Sequence, residues 1–264
     1  MMKKILMFVA TILLSINMLF LHSMPLFAVE EQMSNYEFLL NQGYPAEHLD
    51  NLTESSLQKM VEIIGDGYIS DVEVQETVLN ESNGVARASI NESSMNLQLV
   101  TSAVYEYNTN KINGVLVSAT WEWVKNKPAY RGKDGITINW DNNIFSYAED
   151  SFYANDLYKS NVDDDWSVFK EYTKLAIARQ GGIGHYANLK ALKKYVGGSM
   201  LFLLDPCSPM IKGTKYKTTI NIEYAHAPVP LTGLSFSAVS FGVGLSWNIA
   251  CDTMSDSRTF KFSR

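Results

Sequence analysis

Three histidines follow the apolar leader, His48, His185 and His226, and their spacing bounds the chemistry open to the chain. Zinc sites pair ligands locally, such as two histidines one helical turn apart, and these three are scattered too widely for that. They read as surface or hydrogen-bonded histidines. His185, between Gly184 and Tyr186 in what the glycines suggest is a flexible loop, is the one to mutate in a search for activity. Gly181-Gly182-Ile183-Gly184 could offer backbone amides to a phosphate. It lacks the Lys and hydroxyl residue of a P-loop, so loop flexibility is the simpler reading. A Gly-x-Ser-x-Gly nucleophile elbow is absent. Asp163-Asp164-Asp165 clusters hard oxygens that could meet calcium, but without the glycine and distal glutamate of a calcium loop it reads as a solvated turn. No metal or cofactor is assigned.

Aromatic residues are the stronger candidates for a binding role. Trp121, Trp123, Tyr130 and Trp140 lie close in sequence, and such rings stack on sugars or fill a partner's pocket. Core filling competes with that role, because Trp121 and Trp123 share the apolar face of one strand pattern. Cys207 and Cys251 are the only cysteines. In an oxidising compartment they form a single disulfide closing a loop worth roughly 4 kcal/mol in the chain-entropy treatment. The competing reading is two buried thiols.

The compartment follows from the N-terminus. Lys3 and Lys4 precede an apolar run from Ile5 to Leu21, then Pro25 and Ala28, before Glu30 and Glu31. A basic start, an apolar stretch and a small residue at the cut spell a signal peptide, with cleavage expected after Ala28. An uncleaved anchor is the alternative. Removing residues 1–28 leaves a chain with 20 basic and 28 acidic side chains. That acidic balance supplies no attraction for nucleic acid or an anionic membrane surface, and nucleic acid is excluded as a partner.

The elements that would position these residues change character near residue 67. From Ser34 to Ile64 the pattern is helical. Tyr36, Leu39 and Leu40 recur at helical spacing, Gly43 ends the first helix, and Pro45 suits the start of a second. Thr53 or Ser55 can cap a third, with Leu57, Met60, Val61 and Ile64 on one stripe and Gly65 at the exit. Residues 34–66 thus form a small helical segment, ahead of a β domain over 67–264. The string Tyr36-Glu37-Phe38-Leu39-Leu40, followed by Gly43-Tyr44-Pro45, Leu49-Asp50, Leu52 and Ser56-Leu57, resembles a helical segment in uncharacterised secreted or surface proteins of Gram-positive bacteria. Trp121-x-Trp123, Pro128, Arg131 and Asp134, with Ile136 and Trp140 after them and the late Tyr224-x-His226, are similar to the sandwich portions of the same proteins. The resemblance implies export and a bacterial source, and no activity.

After Gly67 the period becomes two. Ile69 to Leu79 and Val85 to Ile90 alternate around a turn at Asn83-Gly84. Leu97 to Tyr107 and Val115 to Val124 form the clearest pair. In the second of these, Val115, Val117, Ala119, Trp121 and Trp123 occupy one face, and Leu116, Ser118, Thr120 and Glu122 the other. Ile136 to Trp140 and Ile144 to Tyr147 flank the turn Asp141-Asn142-Asn143. Lys215 to His226, Leu234 to Asn248 and Arg258 to Phe262 complete the set, with an apolar phase slip at Ala238-Val239 that demands a bulge or turn. Residues 163–205 fit helix or strand. The glycines there favour strands.

The fold expected is therefore mainly β, an antiparallel sandwich-like domain behind three short helices. The function expected is non-catalytic binding of an extracellular protein or carbohydrate. Two alternatives stand beside it. Leu234 to Trp247 has the alternating Ser/Gly and apolar texture of membrane-inserting hairpins, which gives a membrane-active protein. An extracellular hydrolase would need a cleft gathering His185 or His226 with Asp134, Asp141 or Asp163.

Overall fold

The computed structural model describes residues 33–77, 95–109, 111–123, 133–189, 193, 195–211, 216–226, 234–239, 242–247 and 252–262. Three helices open it: α1 (Asn35–Asn41), α2 (Ala46–Asp50) and α3 (Glu54–Ile64). Pro45 stands at the N-cap of α2, and Thr53 caps α3 by accepting from the Ser56 backbone N–H at 3.3 Å. Gly43 and Gly65 end α1 and α3 at φ +94° and +55°, a region that side chains beyond glycine resist.

Fifteen strands follow among the described residues. Sheet A runs β1 (Tyr68–Thr77), β2 (Met95–Tyr105), β3 (Lys111–Trp123), β10 (Tyr195–Pro206), β6 (Tyr153–Lys159), β7 (Ser167–Tyr172), with β5 (Phe145–Tyr147) on β10 and β11 (Met210–Ile211) on β3. Sheet B runs β15 (Asp252–Phe262), β12 (Tyr216–His226), β4 (Lys133–Asn139), β9 (Gly182–Asn188), β8 (Ile177–Arg179). Among the described residues β13 (Leu234–Val239) and β14 (Gly242–Trp247) pair only with each other, and they lie against β4 and β9. The pairings are antiparallel, so the mainly β, sandwich-like class with three N-terminal helices holds. The described residues of the stretch 163–205 form strands β7 to β10 joined by turns, with no helix among them. No helix among the described residues is long and apolar enough to cross a membrane, which says nothing of crossing by strands.

Two apolar clusters hold the layers. Between the sheets pack Val115, Val117 and Ala119 of β3, Ile136 and Ile138 of β4, and Ile220 and Ile222 of β12. The opposite face of sheet A buries Val100, Leu116 and Leu201 against Leu39, Leu49, Leu57 and Met60 of the helices. The helices therefore have no core of their own. Residues 35–264 form one compact unit, and the change of texture near 67 is a change of element type within it. Covered on both faces, β2, β3 and β10 are buried almost throughout.

That second cover explains the mixed face of β3. Ser118 and Gln98 bond the ring of His48, which is fully buried: Nδ1 meets Gln98 Oε1 at 2.6 Å and Nε2 meets Ser118 Oγ at 2.8 Å. Asn155 Nδ2 donates to Thr53 Oγ1 at 3.0 Å and Ser56 Oγ at 2.9 Å, tying α3 to β6. Polar positions that look solvent-facing in sequence are seams between helix and sheet.

The turn after β4 joins the two sheets. Asp141-Asn142-Asn143 is a turn, with Asp141 Oδ1 accepting from the Asn143 N–H at 2.9 Å, yet its flanking strands do not pair. β4 belongs to sheet B and β5 to β10 of sheet A. Trp140 and Phe145 both enter the core, and Trp140 Nε1 donates to the Phe145 carbonyl at 2.9 Å. The chain changes sheets there because burying both rings outweighs a local hairpin. The expected turn at Asn83-Gly84 and the strand at Val85 to Ile90 lie outside the described residues.

Candidate functional site

Register brings the distant polar residues together. β9, β4 and β12 set His185, Ile136 and Tyr224 side by side in one row of sheet B. Asp134 and His226 lie two positions along β4 and β12, hence on the same inward face. From sheet A, the row Trp121, Gly198, Asp156 faces them. A Cβ at Gly198 would fall 2.3 Å from Trp121 Cζ2, so the missing side chain is what lets the indole lie beside Asp156. Asp134, Asp156, His185, His226, Tyr224, Trp121 and Trp123 are all 0–2 % exposed.

Two His–Asp pairs form this centre. His226 Nδ1 donates to Asp134 Oδ1 at 2.7 Å, and Tyr224 OH donates to Asp134 Oδ2. Trp123 Nε1 donates to Tyr224 OH at 3.0 Å and closes the chain. Burial first, then the Asp134 charge and hydrogen bond, push the Tyr224 phenol well above its ordinary range, which keeps it a donor. In the second pair Tyr172 OH donates to Asp156 Oδ2 at 2.5 Å and Asn188 Nδ2 to the same oxygen at 3.1 Å. Asp156 Oδ1 and His185 Nε2 are 3.9 Å apart, too far for a hydrogen bond, and among the described residues both are buried without a hydrogen-bond partner, as is Trp121 Nε1.

This arrangement orients imidazoles with carboxylates, as general-base sites do. It is sealed, however, and among the described residues no hydroxyl or thiol nucleophile is hydrogen-bonded to His185 or His226. No group of three metal-binding side chains occurs among the described residues either.

The sequence candidates fall as follows. Trp121, Trp123 and Trp140 are 2 %, 1 % and 3 % exposed, inside the sandwich, so they form no surface platform. Tyr130 lies outside the described residues. Cys207 is a free, exposed thiol 3.6 Å from the Asn142 carbonyl, and Cys251 lies outside the described residues. His185 is in strand β9, not a flexible loop, and Gly182 and Gly184 pair with Asn139 and Thr137 in the ladder. Their amides are committed to the sheet and open to no phosphate. Asp141 caps its own turn. Asp164 is held by Asn161, whose backbone and side-chain amides lower its pKa, so the triple-aspartate segment closes on itself.

A second, open feature escaped the sequence. Among the described residues β7 is the edge of sheet A and is exposed from Ser167 to Glu171, with Val168 and Phe169 41 % and 43 % exposed. Beside it, Lys159 Nζ lies 4.4 Å from the Trp166 ring centroid and 5.9 Å from that of Tyr195, while Lys193 Nζ lies 4.8 Å from that of Tyr158. Lys159 also reaches Glu122 at 3.5 Å, which fixes the ammonium over its rings. These aromatics come from three separate stretches, so spacing could not collect them.

The fold and site define a class: a mainly β protein of two antiparallel sheets, with a sealed Asp–His centre and an open aromatic edge. No family model matches the chain, and no curated protein matches it.

Proposed function

We propose that the protein is an exported, non-catalytic binding protein of a Gram-positive bacterium, and that it engages an extracellular protein or carbohydrate at the β6–β7 edge of sheet A. The observation that carries this is the exposure of Val168 and Phe169 on β7, which pairs with β6 on one side and ends sheet A among the described residues, beside Trp166, Tyr195 and Tyr158. An open edge supplies backbone groups to a partner, and rings held by lysines supply flat, rigid contact area. The basic-apolar leader supports export, and the resemblance of residues 36–57 supports the source.

Retention of the exported chain on peptidoglycan, chitin, and immobilised fibronectin and collagen tests the reading. Retention on one of them that falls at least tenfold in the folded double variant Trp166→Ala, Phe169→Asp supports it. Retention unchanged by the two substitutions, or none on any of the four, overturns it.

A hydrolase is the second reading, favoured by the 2.7 Å contact between His226 and Asp134. Turnover of chromogenic esters or glycosides that is abolished in Asp134→Asn would establish it. The sealed position of the pair argues the other way.

A further inference from the structure

We propose that the β13–β14 ribbon is a membrane-inserting element: it leaves sheet B and, with ribbons from further copies of the chain, enters a lipid bilayer as a β-barrel. This goes beyond the binding reading and uses a different part of the molecule.

The first observation is compositional. Ala227 to Cys251 is 25 residues without a single Asp, Glu, Lys, Arg or His, in a chain with 19 % charged residues. After Glu31 the next longest stretch without Asp, Glu, Lys or Arg is the 13 residues Ser93 to Tyr105, of which Met95–Tyr105 form buried β2. The second is register. Positions Leu234, Phe236 and Ala238 stand opposite Trp247, Leu245 and Val243, and Ser235 and Ser237 stand opposite Ser246 and Gly244. Opposed positions of an antiparallel pair share a face, so both arms assign apolar residues to one side and Ser and Gly to the other. A membrane strand needs that dyad pattern over about 9–11 residues.

Topology supplies the third. β12 and β15 pair along their whole length up to His226 opposite Asp252, so the ribbon is the connection of a long hairpin, folded back onto β4 and β9. Setting aside the first four connecting residues, which hold Pro228 and Pro230, the sequence leaves nine residues from Leu231 to Val239 and ten from Gly242 to Cys251. β13 and β14 themselves are six residues each, and by sequence count alone these flanking residues bring the two segments to the length of a membrane strand.

The fourth concerns the surface beneath. Ile136, Ile138, Ile220 and Ile222 face the core, so Thr137 and Asn221 lie on the outer face of sheet B. Thr137 is fully buried there, and Thr137 Oγ1 and Asn221 Oδ1 have no hydrogen-bond partner among the described residues. Water would satisfy both groups if the ribbon departed, which lowers the cost of leaving. In lipid an isolated ribbon would expose two open edges, and only closure by several copies pairs them.

The test uses the exported, purified chain and receptor-free phosphatidylcholine/phosphatidylglycerol vesicles loaded with carboxyfluorescein. The expected result is dye release at micromolar protein, with oligomers recovered from the vesicles. In parallel, an environment-sensitive probe is placed at Phe236→Cys, Ser237→Cys, Leu245→Cys and Ser246→Cys in a Cys207→Ser, Cys251→Ser background. Bound to vesicles, probes at 236 and 245 should shift to the blue and those at 237 and 246 should not. Intact vesicles, or release without that alternation, would overturn the proposal. Because these vesicles display no receptor, loss of the β7 edge through Trp166→Ala, Phe169→Asp should leave release unchanged.

Discussion

His226 and Asp134 meet at 2.7 Å inside the sandwich, the last residue of β12 holding the second residue of β4. The contact is one link of a chain running from Trp123 through Tyr224 to Asp134 and His226, and no member reaches solvent appreciably. Removing a link leaves buried donors with nothing to bond, which costs more than the link itself contributes.

Asp134→Ala should therefore destabilise the fold by about 3 kcal/mol. Urea unfolding followed by tryptophan fluorescence measures this directly, since Trp123 belongs to the same chain of bonds. A loss below about 1 kcal/mol would mean that the centre is slack.

Gly198→Ala tests the packing that admits Trp121. The added methyl would stand 2.3 Å from both Trp121 Cζ2 and the Asn155 carbonyl oxygen, contacts that neither a β-ladder nor a packed indole can relax cheaply. A loss of about 2–3 kcal/mol is expected from overpacking. An unchanged thermal midpoint would contradict the close approach of β3, β10 and β6.

Acid should loosen the helix–sheet seam. Burial holds the His48 imidazole down at about 4, against an ordinary value of 6.5, with the Gln98 hydrogen bond only partly offsetting it. As pH falls below 6.5 the unfolded chain takes up this proton first, and the folded chain accepts it only near 4. The contribution of His48 is thus fully present above 6.5 and is lost as pH falls to about 4, amounting to about 3 kcal/mol at most. Denaturation midpoints at pH 7 and pH 4.5 should differ less in His48→Asn than in the parent chain. Equal differences would remove His48 as the source.

The thiol of Cys207 gives a simple covalent test. It is exposed and free, so the chain kept reduced should be alkylated at Cys207 without denaturant. Export into an oxidising compartment is proposed to bond it to Cys251, protecting it and adding roughly 4 kcal/mol. Alkylation of the exported chain at the same rate as the reduced one would rule the bond out.

Much of the architecture was legible in the residues. Period-two alternation placed β2, β3 and β12 to within a few residues, because a strand with one face in a core must alternate. Thr53, Pro45 and Gly65 marked helix ends through local hydrogen-bonding and backbone preferences that need no tertiary information. The slip at Ala238-Val239 marked a reversal, since β13 ends at Val239 and β14 resumes at Gly242. Asp141 to Asn143 was legible as a turn, but not as the point where the chain passes from one sheet to the other. Its local chemistry fixes a change of direction, while the choice of partner depends on where two aromatic rings find burial.

What the sequence by itself determined is the kind of element at each point, because backbone preference and alternation act over a few residues. Only the tertiary structure decided which polar residues meet. His185, Asp156, Asp134 and His226 come from four strands, and Tyr158, Trp166 and Tyr195 from three stretches, and strand order and register alone bring them within reach. Tryptophans 121 and 123 were readable as sharing a face, but whether that face met solvent or a second sheet depended on strands more than ten residues away. Burial is a property of the assembled layers, and no single strand carries it.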